Sequence, residues 1–134
     1  MKFLLDTHIW VWSLQNPKRL RPKVAKALVS PSAELWLSPI SLWEVAVWIE
    51  AGRLELRGFS SPRQWIEAAL SKVPMREAVL NGQIAMESRE LRLKHDDPAD
   101  RFIAATAAVC ELTLVTSDAR LLAGKGYKTL ANQE

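Results

Sequence analysis

Apolar runs of strand length alternate along this chain with longer stretches in which apolar residues recur every three or four positions, the signature of strands and amphipathic helices in succession. Strands are predicted at 2–5, 35–38, 72–75, 113–116 and 127–130. Helices are predicted at 7–15, 22–30, 41–51, 61–71, 76–93 (interrupted at Gly82) and 98–110, with a short turn of helix from 118. Such alternation builds βαβ units around a mostly parallel sheet and predicts an α/β fold. In the 41–51 helix, Leu42, Val45, Ala46 and Ile49 form one core-facing stripe, whereas Trp43, Val47 and Glu50 share a neighbouring face and Trp48 lies on another. Gly52 follows where a left-handed cap would end that helix.

The length of 134 residues is enough for one domain with a real core, so 1–134 is read as a single unit. Apolar residues at 49% and charged residues at 25% argue against disorder. No segment approaches the roughly 18 to 20 apolar residues of a membrane span, and the first apolar stretch is too short for a signal peptide. A cytoplasmic protein with no membrane partner is expected. The lone Cys110 sits in an apolar helical run and reads as a buried thiol, which excludes a disulfide framework and a thiolate metal site.

The net charge of +3 permits nucleic-acid binding without demanding it. Its distribution says more. Lys18, Arg19, Arg21, Lys23 and Lys26 crowd one segment, and Arg89, Arg92, Lys94 and His95 another, either as solvated helix faces or as phosphate contacts. Six tryptophans, at 10, 12, 36, 43, 48 and 65, are too many to hide in so small a core. They read as partly buried structural residues or as a partner surface.

The candidate chemistry lies in four acids, each where an apolar run gives way to a helix start: Asp6, Glu44, Asp100 and Asp118. Each has a structural explanation on its own. Asp6 and Asp118 can cap helices, Asp97 with Pro98 can start another, and Ser41 with Glu44 fits a capping box. Caps, however, need not lie at the same end of neighbouring strands, whereas ligands of a shared ion must. Open α/β sheets bind ligands outside the carboxyl ends of their strands, and clustered carboxylates there suit Mg²⁺ or Mn²⁺. Such an ion polarises a phosphoryl oxygen and lowers the pKa of water, which suffices for phosphodiester hydrolysis. Thr7, Thr116 and Ser117 sit beside the acids and can hold a carboxylate or a water. With only His8 and His95 and no glycine-rich loop, a zinc site or a serine triad has little material.

The runs Leu4-Leu5-Asp6-Thr7-His8, Ser38-Pro39-Ile40-Ser41-Leu42-Trp43-Glu44-Val45-Ala46, His95-Asp96-Asp97-Pro98-Ala99-Asp100-Arg101 and Leu114-Val115-Thr116-Ser117-Asp118 resemble the four motifs of PIN-domain proteins, most closely the VapC-like toxins of toxin–antitoxin pairs. The resemblance spans nearly the whole chain, in order. It implies a three-layer fold with a five-stranded, mostly parallel sheet, and an Mg²⁺- or Mn²⁺-dependent endoribonuclease held inactive by a small antitoxin. By motif, Asp6, Glu44 and Asp100 match the core acids, Asp118 the more variable fourth, and Asp97 a supporting or capping position. Ala99 departs from the bulky aromatic of many relatives, which bears on packing rather than on the acids. RNA contacts are expected from Lys18, Arg19, Arg21, Lys23 and Arg101, and a homodimer is expected. Two alternatives remain: a non-catalytic PIN-like scaffold binding RNA or protein, and a phosphatase using Asp6 as nucleophile, which would need an acid where His8 stands.

Overall fold

The computed structural model describes residues 1–133. Five strands form one parallel sheet, β1 (Lys2–Leu5), β2 (Glu34–Leu37), β3 (Arg76–Glu77), β4 (Thr113–Thr116) and β5 (Lys128–Ala131), in the order β3-β2-β1-β4-β5. Seven α-helices connect them: α1 (Thr7–Gln15), α2 (Pro22–Leu28), α3 (Pro39–Glu50), α4 (Pro62–Lys72), α5 (Gly82–Glu90), α6 (Pro98–Cys110) and α7 (Ala119–Ala123).

Strand periodicity sorts the core into two halves. Phe3 and Leu5 of β1, with Val115 of β4, face Ile9, Trp10, Val24, Val45 and Trp65 from α1 to α4. Leu4 and Leu114 face the opposite way, onto Ile84, Ile103, Ala104 and Leu121 from α5 to α7. The molecule is therefore a three-layer α/β/α sandwich, as expected for a sheet whose crossovers cover both faces. In the first half Trp10, 1% exposed, meets the edge of Trp65, and its indole N–H has no acceptor among the described residues.

Most boundaries shift by a residue or two from the periodicity, but two elements differ in substance. The strand expected at 72–75 is displaced to Arg76–Glu77, because α4 runs through Lys72 and only two residues pair with β2. The helix expected at 76–93 starts at Gly82, where Asn81 accepts a hydrogen bond from the Ile84 N–H, so the glycine opens the helix rather than interrupting it. Cys110, at the end of α6, is half-buried rather than buried. The Gly52 cap forms as expected. With φ of 74° it lets Gly52 N–H reach Ile49 O and Arg53 N–H reach Trp48 O, the paired bonds of a Schellman turn.

Beyond α5 the chain leaves the helix and runs extended, burying Leu91, Leu93 and His95 in alternation. These residues have the period of a strand without a sheet neighbour. Their carbonyls turn instead to one side chain: Arg101, 6% exposed, donates to Leu91 O, Leu93 O and His95 O, and through Nε to Ser88 O at 2.7 Å. The expected RNA contact at Arg101 is thus corrected, since its guanidinium is spent inside the fold. Gly124 is required nearby, where a Cβ would collide with the Tyr127 hydroxyl that donates to Leu121 O.

Arg101→Ala would take the donor from the buried carbonyls of Ser88, Leu93 and His95, while Leu91 O keeps the Leu93 N–H, and should destabilise the fold by at least ~3 kcal/mol. Urea unfolding checks this; a loss under ~1 kcal/mol would show that water replaces the guanidinium.

Candidate active site

Parallel register brings the carboxyl ends of the central strands to one edge. Leu5 of β1 pairs with Val115 of β4, and Leu4 with Trp36 of β2, so the residues after each strand emerge side by side. After β1 the chain builds β2 and β3 on one side, then returns to place β4 on the other. The edge between β1 and β4 is therefore the switch point where open sheets leave a crevice. There a cleft of about 480 Å³ is lined by Asp6, Glu44, Asp97, Asp100, Ser117 and Asp118, and it is walled by His8, Trp12, Trp48 and Arg120.

Each acid is held by its own local structure. Asp6 caps α1, accepting from Thr7 N–H at 2.8 Å, while its other oxygen accepts from the Thr116 hydroxyl at 2.6 Å. Asp97 caps α6 through the Ala99 N–H. Asp118 caps α7 through Arg120 N–H at 2.8 Å, with the Arg120 guanidinium 3.4 Å away. Glu44 is different. The capping box expected from Ser41 and Glu44 does not form, because α3 starts earlier, with Ser38 as its cap and Pro39 behind it. Glu44 thus stands past the first turn with no capping duty, and it accepts from the Thr7 hydroxyl at 2.6 Å.

His95 completes the arrangement and was not among the site residues expected from sequence, although it opens the third acidic run. Its Nε2 lies 2.5 Å from Asp100 Oδ2 and 3.8 Å from Asp118 Oδ2, tying two acids together. Asn132 is a second addition. It donates to the Ser117 hydroxyl and Arg19 O, and accepts from Arg21 N–H, so it links the cleft rim to the basic loop. Ser117 is thereby committed to Asn132 rather than to a carboxylate. Arg19 and Arg21 stand close to the rim through this link, and Lys18 and Lys23 are exposed.

Burial and mutual repulsion oppose ionisation of the cluster. Glu44 is pushed up to about 7, by burial first and then by Asp100, Asp6 and Asp97, against the Thr7 hydrogen bond. Asp100 rises to about 6, again mainly by burial, with Asp6 adding and His95 opposing. Asp6 also rises, through burial. Burial raises Asp118 too, but hydrogen bonds and charge from Arg120 overcome it and hold that carboxyl below its usual range.

The donor set suits a hard cation. Glu44 Oε2 and Asp100 Oδ1 accept no hydrogen bond from the described residues, and the cluster contains no thiol. One atom each of His95, Asp97 and Asp100 also lie within 4.8 Å of one another. His95 Nε2 is already engaged by Asp100, however, so the carboxylates are the readier donors.

A family model described as "PIN domain" matches residues 3–125. The chain is 32% identical over 119 residues to a Mycobacterium tuberculosis protein named ribonuclease VapC22, spanning 88% of each. Its fold is similar to that in the crystal structure of VapBC2 from Rickettsia felis bound to a promoter DNA fragment, with a TM-score of 0.70 at 16% identity over 98% of both chains. DNA-bound VapBC from Salmonella typhimurium gives 0.67 at 20% identity over 98% of both.

Since Glu44, Asp100 and Asp6 titrate higher folded than unfolded, the folded state holds more protons between about pH 4 and about pH 7. Stability of the metal-free protein should therefore fall as pH rises through that window, and level off above it. Asp118 acts oppositely, but only below the window. Thermal melts in EDTA should show Tm declining, with a flatter profile for Glu44→Gln and Asp100→Asn; a Tm that climbs from about pH 4 to about pH 7 would contradict the assignment.

Proposed function

The chain belongs to the PIN-domain family, and we propose that it is a divalent-metal-dependent endoribonuclease acting as the toxin of a toxin–antitoxin pair. The observation that carries this reading is the convergence of Asp6, Glu44, Asp100 and Asp118 on one cleft at the sheet's carboxyl edge. The relative named a ribonuclease and the toxin–antitoxin complexes of similar fold point the same way.

Asp6, Glu44, Asp100 and Asp118 would hold Mg²⁺ or Mn²⁺. Bound there, such an ion polarises a phosphoryl oxygen and makes water a competent nucleophile near neutral pH. The protein's own groups do the rest. Thr116 fixes one Asp6 oxygen and Thr7 fixes Glu44 Oε1, so both carboxylates keep their orientation. Glu44 Oε2 accepts no hydrogen bond from the described residues, so it is the oxygen Glu44 would turn to the ion. His95 holds Asp100 through Nε2 and keeps its rotamer. Left without counter-charge, this cleft repels a phosphodiester, which couples RNA entry to cation binding. Lys18, Arg19, Arg21 and Lys23 would grip the RNA backbone beside the rim.

The partner face is proposed on α3. Trp43 is 60% exposed and Val47 39%, one turn apart on the stripe that faces away from the core. Large apolar residues paired in this way suit a homodimer contact or an antitoxin segment laid along the helix.

Freed of partners and given Mn²⁺, the protein should cleave RNA, stop in excess EDTA, and recover when Mn²⁺ is restored. Asp100→Asn should lose at least ~100-fold in rate while melting no lower than wild type without metal, because one repelling charge is gone. Mn²⁺ at 100 times its Kd should stabilise wild type by about 2.7 kcal/mol. Cleavage undiminished in EDTA would overturn the proposal. Separately, Trp43→Ser with Val47→Ser should reduce self-association in sedimentation without lowering cleavage; unchanged association would move the interface elsewhere.

A further inference from the structure

The acidic cleft opens into a second groove of about 480 Å³, and the two share His8, Trp12 and Trp48. Sequence spacing builds this junction. His8 and Trp12 lie one turn apart on the same face of α1, and Trp48 meets them from α3. The His8 ring centroid is 4.6 Å from that of Trp48 and 5.5 Å from that of Trp12, both tilted. The Arg19 guanidinium lies 4.1 Å over the Trp12 ring. Beyond the Gly52 turn, the chain doubles back and adds Arg53 and Arg57 to the groove.

No carboxylate is among the residues lining this groove, in contrast to the cleft beside it. Arg19 and Arg53 have no acidic partner among the described residues, and Arg57 pairs only at 3.8 Å with the exposed Glu55. Flat ring faces interleaved with arginines are the chemistry that binds single strands: bases stack on the rings and phosphates meet the cations. Bases inside an A-form duplex are stacked on each other and cannot do this. A strand whose phosphate reaches the acids must carry its next nucleotide out of the cleft, and this exit is free of repelling charge. An acidic peptide would find the arginines but would leave the ring faces without flat partners.

We infer that this groove is a stacking subsite for one unpaired ribonucleotide next to the cleaved bond, its base against the His8, Trp12 and Trp48 surface and its phosphate held by Arg19 and Arg53. The inference rests on the ribonuclease reading for its ligand, and it adds which side chains take the base and the phosphate beside the cut.

The test uses the cleavage-deficient Asp100→Asn with Mg²⁺ present and short fluorescein-labelled single-stranded RNA, intact or with an abasic residue at each position in turn. Affinity should drop about tenfold, the loss of one base stack, when the abasic residue occupies one particular position. Intact RNA should also quench tryptophan fluorescence. Trp48→Leu or Trp12→Leu in the same background should erase the difference between intact and abasic RNA. Both rings also pack on the core, so a second variant keeps the test alive if these fail to fold. Arg53→Gln with Arg57→Gln, both exposed, should weaken intact and abasic RNA alike and flatten the log–log salt slope by about 0.7 for each phosphate no longer gripped. Equal affinity for every abasic position overturns the subsite, and so does quenching by polyglutamate but not by RNA, which would mark a protein-docking face. Wild type with Mn²⁺ separates the two claims. Position-dependent stacking without cleavage sinks the ribonuclease reading and leaves the subsite, whereas cleavage without position dependence sinks the subsite alone.

Discussion

The central strand carries the constraint on which everything else rests. β1 lies between β2 and β4, parallel to both, so its carboxyl end cannot be moved without moving theirs. Asp6 N–H donates to Val115 O at 3.0 Å, which extends the ladder one residue past the strand and locks the first acid beside Thr116. From that point Thr116 reaches Asp6, Thr7 reaches Glu44, and the cluster is assembled by bonds between residues more than thirty positions apart. Gathering carboxylates against their own repulsion is unfavourable, and the rigid sheet edge holds them in place.

Arg101 provides the second support. A segment with the alternation of a strand but no neighbouring strand has carbonyls that need donors, and one guanidinium supplies them at Ser88, Leu91, Leu93 and His95. By fixing that segment it places the His95 ring against Asp100, the residue that precedes Arg101 itself. A buried arginine next to a cleft carboxylate here serves it indirectly, through backbone geometry, and forms no ion pair with it.

Capping and clustering turn out to be compatible roles. Asp6, Asp97 and Asp118 each cap a helix and also line the cleft, because an N-cap sits where a strand hands over to a helix and that is the sheet edge itself. A carboxylate has acceptor capacity for both tasks. Glu44 and Asp100 cap no helix, and both are pushed towards neutrality, up to about 7 and about 6.

Much was legible in the sequence because local rules decide it: the βα alternation, α6 from Pro98 to Cys110, the Gly52 turn, the exposed Trp43 and Val47 stripe, and Asp6 and Asp118 each between a strand and a helix. These follow from periodicity, cap chemistry and a glycine's access to positive φ. Tertiary structure decided what depends on neighbours distant in sequence. β3 is short and late because only β2 is there to pair with it, and residues 76–81 leave the helix that their period suggested. Arg101 reads as a surface cation beside an acid, and only the packed chain shows four carbonyls claiming it. His95 and Asn132 gain their meaning the same way, one by bridging Asp100 and Asp118, the other by joining Ser117 to a loop more than a hundred residues from Asn132 itself. A side chain's class and local spacing are written along the chain, but its partners are set by the register of a parallel sheet, which no single segment encodes.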